Sequence, residues 1–208
     1  MSEPVVLHAG SAEVDAPVVL LLHGRGSNEQ EILNLAPHLP AEFSYSAIRG
    51  GVTVAPNAFA WFENRGIGRP TPESLRHELN WFRNWLDLFV GPERAVIPLG
   101  FSGGAAFAGG LLLDAPNRFA GGAVLYGTLP FDAGVPTSIG RLRDLPIFHA
   151  VGQLDNVIPA ELLSLSYDYL AGPSEAVLTY RSTQVGHMID PLILPDLSEW
   201  LRATALAN

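Results

Sequence analysis

The sequence predicts an α/β protein with a mostly parallel central sheet that carries helices on both faces. Apolar runs of β type alternate along the chain with segments in which apolar residues recur at helical spacing. The first strong run, Val18 to His23, is apolar almost throughout, as is typical of a strand covered on both faces. The chain has 208 residues, 48% of them hydrophobic, which is enough for one large core, so we expect a single domain over residues 1–208.

The predicted strands are short apolar runs. The run at residues 5–8 is expected to lie at the edge of the sheet. The others, in chain order, are residues 18–23, 44–49, 95–101, 122–126, 146–151 and 176–181. Strands that alternate with helices in this way favour a parallel sheet.

Helices are predicted from capping residues and apolar spacing. Ser27 with Gln30 fits a capping box that opens a short helix, and Thr71 with Pro72 fits the start of the longest one. The apolar residues of that long helix recur at steps of four and three, as on one helical face; they are Leu75, Leu79, Phe82, Leu86 and Phe89. Further helices are predicted at residues 103–113, at 161–170 and after an Asp190–Pro191 cap, and residues 50–70 are predicted to be a long functional loop.

The composition excludes several classes of protein. A formal net charge of −9 argues against binding along a nucleic-acid backbone. With no cysteine, the chain has no disulfide, thiolate metal site or cysteine nucleophile. All 12 basic residues are arginines, so a P-loop lysine and Schiff-base chemistry are excluded as well. His77-Glu78 lacks a second histidine at ligand spacing, and no metal site is expected.

One uncharged stretch, Ala95 to Leu113, is long enough to be considered as a membrane span. It contains Pro98 and five glycines, so a buried strand, a tight turn and a buried helix are the better interpretation, and no membrane span is expected. The first ten residues lack the basic region of a signal peptide, and we therefore expect a cytoplasmic protein.

The strongest chemical signal is Gly100-Phe101-Ser102-Gly103-Gly104, a G-x-S-x-G motif. It follows a predicted strand and opens a predicted helix, which is the context of a nucleophile elbow. The sharp turn needs small residues on both sides of the serine, and it leaves the hydroxyl exposed at the carboxyl edge of the sheet. The sequence therefore predicts Ser102 as a catalytic nucleophile.

A serine nucleophile needs a base, and the base needs an orienting acid. In this arrangement the acid and then the histidine follow the serine along the chain. His187 lies in a loop after the last predicted strand and is the expected base, whereas His149 falls inside an apolar strand. Asp155 lies in the loop after the strand that contains His149 and is the expected acid, while Asp190 is better explained as a helix cap.

The oxyanion of the reaction needs two backbone N–H donors. One is expected at Gly103, the residue after the nucleophile. The other is expected in the loop after the early strand, where Arg25 lies between two glycines that permit the required turn.

Five motifs in order make the chain resemble the phospholipase/carboxylesterase family of short α/β-hydrolases, which includes acyl-protein thioesterases and small bacterial serine esterases. The motifs are Leu22-His23-Gly24-Arg25-Gly26, Arg49-Gly50 with Trp61-Phe62, Gly100 to Gly104, Gly152 with Asp155, Val157 and Pro159, and Gly186-His187 through Trp200-Leu201. The resemblance covers about residues 17–201. It implies an α/β-hydrolase fold with a minimal cap domain or none, and a cofactor-free serine hydrolase for carboxylic ester or thioester bonds.

Residues of the long loop are candidates for binding substrate. Trp61 and Phe62 are expected to wall the pocket, with plain core packing as the alternative. Arg65, with Arg25 and Arg69, offers guanidinium groups for a substrate carboxylate, with solvated loop arginines as the alternative.

These observations predict a serine carboxylesterase that hydrolyses small or short-chain esters through an acyl-enzyme. Two alternatives stay open: a thioesterase or lysophospholipase for longer acyl chains, and a non-catalytic ligand-binding protein on the same scaffold. The expected partner is a small-molecule ester, with no nucleic acid and no cofactor. The sequence leaves the oligomeric state open, a homodimer included.

Overall fold

The computed structural model describes residues 3–92 and 94–206, and this part of the chain contains eleven strands. In chain order they are β1 (Val6–Gly10), β2 (Val18–Leu22), β3 (Ser44–Ile48), β4 (Val52–Ala55), β5 (Ala58–Ala60), β6 (Asn64–Gly66), β7 (Arg69–Pro70), β8 (Val96–Phe101), β9 (Gly122–Leu125), β10 (Pro146–Gly152) and β11 (Val177–Thr183). Seven of them form the central sheet in the order β1-β3-β2-β8-β9-β10-β11. All neighbours in it are parallel except β1, which pairs antiparallel with β3 at the edge. The predicted mostly parallel sheet is confirmed.

Within the described ranges, five α-helices cover the sheet. They are α1 (Glu29–Leu33), α2 (Pro72–Phe89), α3 (Gly103–Asp114), α4 (Ala160–Ala171) and α5 (Leu194–Leu206), with short 3₁₀ turns at Ala36–His38, Pro116–Arg118 and Pro191–Ile193. Alternate residues of β2 face different cores, because successive side chains of a strand point to opposite faces. Leu20 and Leu22 pack with α2, α3 and α4, whereas Val19 and Leu21 pack with α1 and α5. Helices thus cover both faces, as predicted.

Two details of the helices differ from the expectation. Asn28, not Ser27, is the N-cap of α1, and its Oδ1 accepts from the N–H of Glu31 at 3.0 Å. Both residues are polar and adjacent, so the sequence pattern alone does not separate them. The apolar face of α2 is buried as predicted up to Leu86, but Phe89 in the last turn is 56% exposed.

Residues 50–70 are not the irregular loop that was predicted. They form two antiparallel hairpins, β4 with β5 and β6 with β7. Their strands are only two to four residues long, and glycine and proline interrupt the alternation that would have signalled them.

The uncharged stretch from Ala95 to Leu113 is the end of a connection followed by β8, a turn and α3, as predicted. No helix within the described residues is long and apolar enough to cross a membrane. Since β2, β8, β10 and β11 run parallel, the loops that follow them all open at one edge of the sheet.

Candidate active site

Ser102 stands on the sharp turn between β8 and α3. Its backbone has φ 56° and ψ −115°, a left-handed conformation that costs an L-residue free energy. The turn is possible only because its neighbours lack side chains: a methyl group on Gly100 would lie 2.1 Å from the carbonyl oxygen of Gly104. A methyl group on Gly104 would lie 2.1 Å from the carbonyl oxygen of Leu22 in β2. Helix α3 therefore begins pressed against the sheet, with the hydroxyl at its first turn.

The structure brings Ser102, His187 and Asp155 together. Nε2 of His187 lies 2.8 Å from Oγ of Ser102, and Nδ1 of His187 lies 2.8 Å from Oδ2 of Asp155. With Nδ1–H donating to the carboxylate, Nε2 carries the lone pair and can accept the proton of the hydroxyl. The side chain of Asp155 is fully buried, while that of His187 is 17% exposed.

Asp155 is held as a carboxylate by its surroundings. Its Oδ1 accepts from the backbone N–H groups of Val157 at 2.8 Å and Ile158 at 3.0 Å. Burial by itself raises the pKa of Asp155, but the hydrogen bonds from His187, Ile158 and Val157 outweigh burial and lower the pKa below its usual value. The acid therefore stays ionised at neutral pH and favours the tautomer with a proton on Nδ1 of His187.

The loops that carry Asp155 and His187 lie side by side. The N–H of Gln153 donates to the carbonyl of Thr183 at 2.8 Å, and that of Leu154 donates to the carbonyl of Val185 at 3.0 Å. Gly152 is required here, since a methyl group on it would lie 2.4 Å from the carbonyl oxygen of Val185. These bonds extend the pairing of β10 and β11 beyond the sheet and fix the distance between acid and base.

The two residues considered as alternatives lie elsewhere. His149 is buried in β10, and its Nδ1 is bonded to the carbonyl oxygen of Val124 at 3.0 Å. Oδ1 of Asp190 accepts from the N–H of Leu192 at 3.0 Å, as expected of an N-cap.

A tight turn after β2 places Arg25 beside the elbow. The N–H of Ser27 donates to the carbonyl of Gly24 at 3.1 Å, and Gly26 has φ +83°, so Arg25 and Gly26 are the two corners of the turn. A methyl group on Gly103 would lie 3.2 Å from the nitrogen of Arg25. The N–H groups of Arg25 and Gly103 make no hydrogen bond with any described residue. Arg25 and Gly103, each with a free N–H donor, thus lie close together beside the elbow.

His23 connects this turn to the segment that follows β3. Its Nδ1–H donates to the carbonyl of Gly24 at 2.8 Å, and its Nε2 accepts from the N–H of Gly50 at 3.0 Å. Burial lowers the pKa of His23, which keeps the ring neutral so that Nε2 can accept. The indole N–H of Trp61 donates to the carbonyl of His23 at 2.8 Å.

An ion pair that the sequence did not predict supports the same turn. Arg49 binds both carboxylate oxygens of Glu29, at 2.8 and 2.5 Å, and the side chain of Glu29 is only 2% exposed. The guanidinium of Arg49 also lies 4.5 Å from the ring centre of Phe59. The backbone of Phe59 in turn pairs with Gly26 and Ser27, at 2.8 and 2.9 Å. The Arg49-Gly50 motif was the only signal in the sequence for this support.

The prediction that Trp61 and Phe62 line the substrate pocket is wrong, and the alternative of core packing holds. Trp61 is 1% exposed and stacks on Phe107 in the core, with ring centroids 4.6 Å apart; Phe62 is 3% exposed. Neither side chain offers a surface to a substrate, so core packing accounts for both. Arg65 donates to the carbonyls of Pro70 and Asp132, at 3.2 and 3.1 Å, and holds the second hairpin in place. Arg69 pairs with Glu161 at 3.4 Å.

Within the described residues, no group of three His, Asp or Glu side chains is arranged to hold a metal ion. The chemistry available at this edge of the sheet is that of a hydroxyl, an imidazole, a carboxylate and two backbone donors. This is the arrangement by which serine hydrolases transfer acyl groups.

Comparison with known proteins defines the class. The family model of the phospholipases and carboxylesterases matches residues 5–205. The chain belongs to this family and is a serine ester hydrolase of the α/β-hydrolase fold.

Individual relatives are distant. NocK of Nocardia uniformis subsp. tsuyamanensis, which is described as an esterase, is 27% identical over 159 residues. The match spans 71% of this chain but only 42% of NocK. MhqD of Bacillus subtilis (strain 168), which carries a hydrolase assignment, is 23% identical over 89% of this chain and 92% of its own. The crystal structure of the Bacillus cereus carboxylesterase superimposes with a TM-score of 0.83 at 23% identity, covering 97% of this chain and 94% of that one.

Proposed function

We propose that the chain acts as one domain and is a carboxylesterase for small or short-chain esters, with Ser102 as nucleophile, His187 as general base and acid, and Asp155 as the residue that orients His187. The observation that carries this proposal is the pair of 2.8 Å contacts that joins the three side chains. Gly103 and Arg25 supply the backbone donors of the oxyanion hole.

In the first half of the reaction, Oγ of Ser102 forms a bond to the ester carbonyl carbon, and its proton moves to Nε2 of His187. The carbonyl oxygen becomes negative and is stabilised by the two N–H donors, each contributing about 3 kcal/mol in comparable hydrolases. The bond to the alcohol oxygen then breaks, and the alcohol takes the proton from Nε2.

In the second half, a water molecule gives its proton to Nε2 of His187 and attacks the acyl-enzyme. The second tetrahedral intermediate uses the same two donors. When it collapses, the acid leaves and Oγ of Ser102 recovers its proton. Asp155 stays ionised throughout and stabilises the imidazolium form of His187.

The surroundings of Ser102 support a small substrate. The exposed side chain of Arg25 starts beside the elbow, where a long acyl chain would need a continuous apolar surface. A small ester needs no such surface.

A second candidate, a thioesterase or lysophospholipase for longer chains, is favoured by a different observation. Leu154, Val157 and Met188 are exposed, and they flank Asp155 and His187 in sequence. Apolar side chains on the rim of the site would suit an acyl chain. Turnover of p-nitrophenyl esters from C2 to C16, with acyl-CoA thioesters in parallel, separates the two, because an optimum at C12 to C16 favours the longer substrate.

The test of the mechanism uses p-nitrophenyl acetate with the wild type, Ser102→Ala and the control Ser164→Ala, which alters an exposed serine of α4. We expect a burst of nitrophenol in the wild type and the control, and a loss of kcat of at least about 10⁴-fold in Ser102→Ala. A serine-directed organophosphate should label Ser102. Equal rates in the wild type and Ser102→Ala would refute the mechanism, and saturable ester binding with no turnover would indicate a binding protein.

A further inference from the structure

The side chain of Arg25 starts beside the reacting centre. A methyl group on Gly103 would lie 3.4 Å from Cβ of Arg25, so the side chain leaves the turn next to the residue that follows Ser102. The turn is held at both ends by the backbone bonds of Gly24 with Ser27 and of Gly26 with Phe59. The origin of the side chain is therefore fixed even though the residue as a whole is exposed.

The guanidinium of Arg25 has unused binding capacity. Of its five N–H donors, one makes a hydrogen bond with a described residue, from Nη1 to the carbonyl of Phe62 at 3.3 Å. No described carboxylate lies within 4.0 Å of it, whereas Arg49 and Arg69 on neighbouring segments each have a glutamate partner. Arg65 is engaged by two carbonyls.

This combination points to a ligand with negative charge. A guanidinium presents a planar fork that matches a carboxylate through two parallel N–H···O bonds. The protein as a whole carries a formal net charge of −9, so a multiply charged anion would be repelled by most of the surface. One free guanidinium suits one carboxylate better than a phosphate dianion.

We propose that Arg25 determines specificity by binding a carboxylate on the substrate, so that the preferred substrates are esters that carry a second, ionised carboxyl group. This inference rests on the proposed function. The N–H and the side chain of Arg25 then act on the same molecule, the first on the ester carbonyl oxygen and the second on the distant carboxylate. Because the guanidinium is carried on a stem of three methylene groups, a spacer of similar length between the two groups of the substrate fits best.

The experiment compares matched substrates by kcat/KM, with ester loss followed by NMR. Monomethyl glutarate and methyl pentanoate differ only in a terminal carboxylate against a methyl group on the acyl side. The pair 3-acetoxypropanoate and propyl acetate makes the same comparison on the alcohol side, and 2-acetoxyethyl phosphate tests phosphate as the anion.

The variants are Arg25→Met, Arg25→Lys and the control Arg143→Met, which removes one exposed charge just before β10, at the opposite edge of the sheet. For at least one pair, the wild type should prefer the carboxylate ester, and Arg25→Met should lower the ratio of the two kcat/KM values by about 10-fold. Arg25→Lys should retain part of the ratio because it keeps the charge without the fork. Arg143→Met should leave the ratio unchanged, and added salt should reduce it in the wild type.

Using a ratio separates specificity from any general loss of activity in a variant of the turn. A ratio that is the same in the wild type, Arg25→Met and Arg25→Lys, with neutral esters hydrolysed, overturns this inference and leaves the proposed function standing. A preference for the phosphate ester that depends on Arg25 overturns the choice of carboxylate. A wild type that hydrolyses none of the esters overturns both proposals.

Discussion

The backbone N–H of Gly50 donates to Nε2 of His23 at 3.0 Å, and this bond joins the turn that presents Arg25 to the segment that follows β3. A methyl group on Gly50 would lie 2.4 Å from the carbonyl oxygen of Ala60, so the close approach also requires glycine. Together with the pairing of Arg49 and Glu29, it shows that Arg49-Gly50 supports the turn of Arg25 without forming part of it. The first prediction concerns the ion pair of Arg49 and Glu29.

Replacing Arg49 with Met should destabilise the protein by about 3 kcal/mol, because it leaves the carboxylate of Glu29 buried without its partner. Urea unfolding measures the change. Arg143→Met is the matched control, since Arg143 pairs with Glu175 at the surface and such a pair contributes about 1 kcal/mol or less. Equal losses in the two variants would show that the buried pair does not support the turn.

Asp155→Asn should lower kcat by about 10³- to 10⁴-fold with little change in unfolding. The amide can donate to Nδ1 of His187, which would put the proton of the imidazole on Nε2 and remove the base. Hydrolysis of p-nitrophenyl acetate gives the rate. Asp168→Asn, an exposed change on α4, should be fully active. A variant at position 155 with more than about a tenth of wild-type kcat would exclude this role of the carboxylate.

Two glycines of α3 should respond in opposite ways to the same added methyl group. Gly104→Ala should destabilise the protein strongly, since the methyl group would lie 2.1 Å from the carbonyl oxygen of Leu22. Gly110→Ala places its methyl group no closer than 3.4 Å to Leu79, and it should be neutral or stabilising by up to about 1 kcal/mol through helix propensity. Thermal unfolding compares them, and similar melting temperatures would contradict the close approach of α3 to β2.

His149 should make the protein sensitive to acid. Burial lowers its pKa from 6.5 to about 4 in the folded state, so between these values the unfolded chain binds a proton that the folded chain does not. Stability should therefore fall as the pH drops through this range, by about 3 kcal/mol in total. In His149→Phe the loss between pH 7.5 and 4.5, measured by urea unfolding, should be smaller by about 2 to 3 kcal/mol.

The control for this prediction is His38→Gln, which removes an exposed imidazole and should keep the wild-type pH dependence. The readout is the change in the free energy of unfolding between the two pH values. Loss of the hydrogen bond to Val124 lowers that free energy equally at both pH values and so does not affect the readout. An unchanged slope in His149→Phe would assign the acid sensitivity to other groups.

Buried parallel strands could be predicted closely from the sequence. The run predicted at residues 95–101 is β8 at Val96–Phe101, because a strand covered on both faces is apolar at every position. The meeting of Ser102, Asp155 and His187 followed from the same strands, since their carboxyl ends share one edge. Position along the chain was enough to infer position in space.

Other features depend on contacts that no local pattern contains. The partners Arg49 and Glu29 are twenty residues apart, and the Arg49-Gly50 motif does not indicate that Glu29 is the partner. The hairpins of residues 50–70 are too short to show alternation. Trp61 is recognisable in the sequence as an aromatic residue in a motif, but whether its ring faces a pocket or the core depends on its contact with Phe107, 46 residues further along the chain.

The backbone conformation of Ser102 serves catalysis but lowers thermodynamic stability. A φ of 56° with ψ −115° is natural for glycine and unfavourable for serine, so the rest of the fold has to hold the residue there. Ser102→Gly should accordingly give an inactive protein that melts at a higher temperature than the wild type, whereas Ser102→Ala keeps the strain and should not. The most robust version of this chain would then be one that can no longer turn over a substrate.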